Sequence, residues 1–302
     1  MHDAMLTKAM NRTIIPLPDH CDAIALCGGP YSNFAAVEAF LATSSGLPRF
    51  CLGDLGGPGP HPDRTIARIR ESYVVCMQGN YDHAIGHGEQ NCGCGYDDAR
   101  DREYAQISYN YTVANTSEAN KTWLRALPAQ ILLEWRRKRI LLVHGSPDSV
   151  NEFVWNSQTD DARIEAWLRA ENVHAICATH SGLPWVRVTP RGFWCNVGVL
   201  GRPAHDETPR VGYALLHFGS DRTTLIPSLV PLVYDVAPVA AAIRGEGLPE
   251  AFAEALERGV WTTCSNILPS AEQRPADRYT MRATSSPLRI FHARDATAPQ
   301  AD

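Results

Sequence analysis

The chain has 302 residues, 44% hydrophobic and 20% charged, a balance that excludes a wholly disordered, collagenous or fibrous protein. Its 28 basic and 33 acidic side chains leave a net charge of −5, which removes the counter-ion release that drives general nucleic-acid binding. The length allows one large α/β domain or two small ones.

No apolar run of signal-peptide length occurs in the first 20 residues, and no segment approaches the roughly 18 apolar residues of a membrane span. The sequence therefore predicts a soluble, cytoplasmic chain without membrane contact. Nine cysteines, an odd number spread thinly over the chain, predict reduced thiols rather than a disulfide scaffold. Cys27, Cys51, Cys76 and Cys177 fall in or beside strand-like runs, where Cys acts as a small buried hydrophobe.

Residues 1–22 read as an N-terminal lead. AIALC (23–27) reads as a first strand, followed by Asn33 in N-cap position and by Phe34, Val37, Phe40 and Leu41 on one helical face. RFCLG (49–53) and YVVCM (73–77) read as parallel neighbouring strands joined by the helix TIARIRESY. Residues 83–118 are rich in Gly, Asp, Asn and Tyr and lack clean periodicity, so they read as an irregular but ordered cap inserted into the domain.

A helix at 119–126 leads into ILLEW and RILLVHG, two β runs separated by the basic turn RRKR. A helix at 161–171 precedes VHAICATH, after which WVRV, FWCNVGV, VGYALLHF and TTLIPSLV read as hairpin-connected strands. This strand-and-helix alternation predicts an α/β domain over 23–230. Residues 231–282 form an extension with two short helices joined at Gly247, and 283–302 have the composition of a disordered tail.

Four apolar runs end in polar groups that can bind or orient a metal: Gly53-Asp54, Gly79-Asn80-Tyr81-Asp82, His144-Gly145 and Thr179-His180. In open α/β sheets the carboxyl ends of parallel strands converge on one crevice, so residues far apart in sequence can share a site.

The order GD, GNxD, HGSP, THxxLPW, NVGVLGRP resembles the calcineurin-like metallophosphoesterases, in particular their small bacterial phosphodiesterase branch. The resemblance implies a four-layer α-β-β-α sandwich of two mixed sheets flanked by helices, with metals at the strand ends. It carries the second-metal ligands onto Asp54, as bridging carboxylate, and onto Asn80, His144 and His180. A carboxylate, an amide oxygen and two imidazoles suit Mn, Fe or Zn better than Ca.

Departures from the family pattern fall on the first-metal position. Gly29 and Tyr31 stand where the family has an Asp and a His, and Gly182 stands where it has a second His. That position keeps only Asp54, which predicts one metal per chain. The usual GNHD reads GNYD, so Tyr81 replaces the imidazole assigned to protonating the leaving group, a role open also to His83. The segment carrying His83, His87, Cys92 and Cys94 directly follows this motif, and reads either as extra metal ligands or as a lid over the substrate.

On the substrate side the fold would bring Asn33, Asn196 and Arg202 to the crevice, and Arg202 suits bidentate binding of phosphate. Trp185, Trp194 and the tyrosines of the insertion read either as base-stacking groups or as sheet core. The resulting expectation is a phosphoesterase that hydrolyses a small phosphate mono- or diester, such as a nucleotide, with metal-activated water. Two alternatives stay open: a catalytically silent scaffold binding a protein, and a mononuclear iron or redox enzyme on the same fold.

Overall fold

The computed structural model describes residues 11–221 and 223–279. One six-stranded sheet has the order β1 (Arg12–Pro16), β5 (Gln130–Trp135), β6 (Lys138–Leu142), β7 (Ala175–Ala178), β9 (Gly192–Asn196), β8 (Trp185–Thr189). A five-stranded sheet has the order β11 (Leu225–Leu232), β10 (Val211–Phe218), β2 (Ala23–Cys27), β3 (Arg49–Cys51), β4 (Val75–Cys76). Both are mixed: β2, β3 and β4 run parallel, as do β6, β7 and β9, whereas β10 pairs antiparallel with β2 and with β11.

Side-chain alternation sets the layers. Ile24 and Leu26 of β2 and Phe50 of β3 join Leu133, Ile140, Leu142 and Phe193 in a core between the sheets. The intervening Ala25, Cys27 and Cys51 face the opposite way, onto α1 (Phe34–Thr43) and α2 (Pro62–Glu71) through Val37, Phe40, Ile66 and Ile69. Leu141, Ile176 and Trp194 form the outer face of the other sheet, under Ile164, Trp167 and Leu168 of α6 (Asp161–Ala170). Burial on both faces explains why these strands read as unbroken apolar runs. Trp185 and Trp194 stack in this outer core, with ring centroids 5.9 Å apart, so they serve as core rather than as a base platform.

Three features differ from the sequence reading. The lead contains β1, which pairs in parallel with β5 at the sheet edge. Its short RTIIP run has only two strongly apolar residues, and Ile14 of the two is 57% exposed, so burial periodicity is weak. The cap at 83–118 is helical, with α3 (Asn80–His87), α4 (Ala99–Ala114) and the start of α5 (Glu118–Ala126). The buried face of α4 is Asp101, Ala105, Ser108, Tyr109 and Thr112, a helical spacing built largely from polar side chains and therefore invisible as an apolar stripe.

The third difference concerns the later strands. β8–β9 and β10–β11 are hairpins, but the chain changes sheet between β9 and β10. The extension forms α7 (Ala237–Gly245) and α8 (Glu250–Arg258), joined through Gly247 as expected, and the tail at 283–302 lies outside the described residues. No helix among the described residues is long and apolar enough to cross a membrane.

Seven cysteines are free and buried, as the composition suggested, and Cys92 and Cys94 depart from it by forming a disulfide. Two residues before the first imidazole of the site, Leu142 is completely buried between the sheets. Leu142→Ala is expected to destabilise the fold by about 2–5 kcal/mol, measured as a lower urea midpoint with an unchanged slope.

Candidate metal centre

Both sheets end at the same place. Asp54 follows β3, Asn80 begins α3 after β4, His144 follows β6 and His180 follows β7, so each sheet contributes two side chains. Ligand atoms of Asp54, His144 and His180 all lie within 4.8 Å of one another, and all three residues are buried. The Nε2 of His144 is 3.2 Å from Asp54 Oδ2 and 3.1 Å from His180 Nδ1.

Hydrogen bonding fixes which atoms are available. His144 Nδ1 lies 2.7 Å from the Leu52 carbonyl, which can only accept, so this nitrogen carries the proton and Nε2 of the neutral ring presents a lone pair. Asn80 donates through Nδ2 to the Cys92 carbonyl at 2.8 Å and to Cys94 Sγ at 3.3 Å. Its Oδ1 is buried with no hydrogen-bond partner, and so is His180 Nε2. Buried acceptors left unpaired are costly, and a cation among them removes that cost.

Electrostatics point the same way. Burial works against an ionised Asp54, but His144 and His180 outweigh it and hold the carboxyl below its usual range. For His144, burial opposes the charged ring and Asp54 favours it, with a net rise. Burial and the neighbouring His144 push His180 down to about 3, so its ring is neutral at neutral pH and one nitrogen offers a lone pair. An anionic oxygen, the neutral ring of His180 and a His144 ring whose proton a cation would displace form a donor set that a divalent transition metal takes.

The backbone that carries Asp54 is held in place by Asp82, the last residue of the GNYD motif. Asp54 has φ 59°, a left-handed conformation uncommon for a side chain other than Gly or Asn. Its own N–H donates to Asp82 Oδ2 at 2.6 Å, Gly79 N–H donates to the same oxygen at 2.8 Å, and Leu55 N–H donates to Oδ1 at 3.0 Å. Burial and the charge of Asp54 push Asp82 up to about 8, against the pull of these N–H donors. The Tyr81 N–H donates to Asp54 Oδ1 at 3.0 Å, and a Cβ on Gly79 would stand 2.2 Å from that oxygen, which explains the glycine.

Tyr31 stands at one of the positions where the sequence resemblance expects a first-metal ligand, and the loops around it are shaped to its ring. A Cβ at Gly29 would come within 2.7 Å of the end of its ring, and Cβ atoms at Gly57 and Gly201 would lie 2.7 and 2.3 Å from its Cβ. A carboxylate at position 29 and this tyrosine therefore exclude each other. Gly182, the remaining substituted position, would place a Cβ 3.2 Å from the Trp261 ring, which packs there.

The other expected residues divide into two groups. Arg202 and Tyr81 line one narrow pocket with Asp54, His180, Tyr31 and Cys94. That pocket, of about 50 Å³, has room for only a few waters. Arg202 stacks 3.7 Å over Trp261 and donates to the Thr263 carbonyl.

Tyr81 keeps its hydroxyl 3.3 Å from the Ala105 carbonyl and 3.2 Å from Ser108 Oγ, and burial raises its pKa far above that of a free phenol. His83 contacts Glu89 at 3.3 Å and stacks on His87 at 4.2 Å. Asn33 caps α1 by accepting from Ala36 N–H and donates to the Tyr234 hydroxyl, while Asn196 donates to the Thr179 carbonyl and Ser181 Oγ and accepts from Gly198 N–H. The polar atoms of both amides thus have partners within the protein, and their substrate-binding role gains no support from these contacts. Cys92 and Cys94, as a disulfide, offer no thiolate.

No protein-family model matches the chain. An uncharacterised protein, MJ0912, of Methanocaldococcus jannaschii is 23% identical over 256 residues, 78% of this chain and 98% of that one. Among solved structures, the hypothetical protein PH1004 of Pyrococcus horikoshii OT3 is similar with a TM-score of 0.66 and 21% identity, over 78% of this chain and 98% of that one. A metallophosphoesterase from Sphaerobacter thermophilus is similar with a TM-score of 0.61 and 22% identity, over 80% of this chain and 100% of that one. The fold is that of the metallophosphoesterases, as the calcineurin-like motifs imply.

The sequence places Asp82 in the GNYD motif among groups able to bind or orient a metal but gives it no separate role, which the backbone donors around it supply. Asp82→Ala leaves three buried N–H groups unpaired and is expected to cost more than about 2 kcal/mol of stability, measured by urea unfolding.

Proposed function

We propose that the protein is a metal-dependent phosphoesterase acting on a small phosphate mono- or diester, with one divalent transition metal held by Asp54, Asn80, His144 and His180. The observation that carries this reading is the pair of buried, unpartnered acceptors, Asn80 Oδ1 and His180 Nε2, beside Asp54 and His144. A cation held by these residues would lower the pKa of bound water toward neutrality and polarise a phosphoryl oxygen.

The protein's own residues account for the rest. Leu52 fixes the ring of His144, Asp82 fixes the backbone of Asp54, and the Tyr81 N–H fixes the carboxylate rotamer. Arg202, steadied by Trp261 and the Thr263 carbonyl, keeps further N–H donors for the equatorial phosphate oxygens. The small pocket favours a compact phosphate group, and a nucleotide would require its roof, which includes Tyr96, Tyr104 and Phe252, to move.

Elemental analysis of protein purified without added metal is expected to give one transition metal per chain, and His144→Ala or His180→Ala should lower it strongly. Two fully occupied metals would overturn the one-metal assignment. With Mn(II) or Fe(II) the protein is expected to hydrolyse bis-p-nitrophenyl phosphate, and Asp54→Asn, which alters charge with little change in volume, should abolish this. A wild-type rate in Asp54→Asn, or no turnover of monoesters, diesters or nucleotides with any first-row metal, would refute the hydrolase reading.

A further inference from the structure

The proposed reaction lacks a free proton donor for the leaving group, because the hydroxyl of Tyr81 is held between Ala105 and Ser108 and the ring of His83 is engaged with Glu89 and His87. A second phenol stands beside Asp54. Tyr31 donates its backbone N–H to the Asp54 carbonyl at 3.2 Å and accepts from Gly59 N–H at 2.9 Å. Both it and Ser32 have left-handed backbones, with φ 47° and 60°. Strain of this kind persists only where surrounding structure enforces it, and it clusters at functional sites.

The surroundings are built for this ring. Gly29, Gly57 and Gly201, from three separate loops, each leave space that a Cβ would take from Tyr31. The side chain lines the pocket shared with Asp54, His180 and Arg202, and its hydroxyl has no hydrogen-bond partner among the described residues. The ring is seated by these loops while the residue remains half-buried at the pocket, so the hydroxyl is left to whatever enters there.

We propose that the Tyr31 hydroxyl is the group that donates to the leaving-group oxygen, a catalytic role that takes over from the imidazole missing at position 81. This rests on the phosphoesterase reading. As water attacks phosphorus, the bond from phosphorus to the leaving oxygen breaks, its electron pair stays on that oxygen, and the Tyr31 proton neutralises it. The attacking water contributes one oxygen to the product phosphate and releases a proton, which returns to the Tyr31 oxygen. No oxidant or further reactant is needed.

A donor of this kind matters in proportion to how poor the leaving group is. The test compares wild type and Tyr31→Phe, both Mn(II)-loaded full chains, on methyl 4-nitrophenyl phosphate and methyl phenyl phosphate. Nitrophenolate leaves unaided, so the variant should lose less than about 3-fold there, whereas phenol release should fall about 100-fold or more.

Metal content and thermal midpoint, measured on the same samples, separate this role from ligation and from folding. Both are expected to stay at the wild-type value. Equal losses on the two substrates, or a fall in metal content, would overturn the proposal while leaving the phosphoesterase reading intact. Absence of turnover by the wild type on both substrates would remove the reading on which it rests.

Discussion

One hydrogen bond links the halves of this molecule at the point where its chemistry is expected. The carbonyl of Leu52, at the end of a strand in the five-stranded sheet, takes the Nδ1 proton of His144, at the end of a strand in the six-stranded sheet. Because that proton is committed, the lone pair of the other nitrogen faces Asp54 and His180. The two sheets could slide over their shared apolar core with little change in buried area, since hydrophobic contact is non-directional. A buried, directional polar contact fixes one register between them.

The same constraint explains why the loops around the centre are unusual. Bringing four strand ends together in so little space forces backbones into close approach, so Gly79 sits against the Asp54 carboxylate and Asp54 itself adopts a left-handed conformation. Asp82 offsets the strain by gathering three backbone donors from both loops. Where the sequence resemblance expects a first-metal ligand the chain places the aromatic ring of Tyr31, and Gly29, Gly57 and Gly201 leave the space it takes.

Much of this was legible in the residues. The strands that lie between the sheet core and the helices are buried on both faces, so β2, β5, β6 and β7 stand out as apolar runs, and the candidate ligands His144 and His180 come two residues after β6 and β7. What stayed hidden was of two kinds. The α4 helix buries Asp101, Ser108 and Thr112, which meet Asn266, the Tyr81 hydroxyl and the Gly57 carbonyl from elsewhere in the fold, so apolar periodicity gave no trace of it. The N-terminal β1 depends on pairing with β5, more than a hundred residues away, and no local pattern records a partner that distant. For Asn33 and Asn196 loop position was readable, but which groups within the protein their amides would meet was not.

The strand order has a consequence for biosynthesis. β2, the central strand of the five-stranded sheet, has β3 on one side and β10 on the other, and Ala214 and Leu216 of β10 complete the core between the sheets. A nascent chain that has emerged only as far as His180 has all four candidate ligands outside the ribosome, yet one flank of its central strand is still unpaired. Such an edge is open to mispairing with other chains until β10 arrives. The sheet that supports Asp54 can close only once β10 has been made.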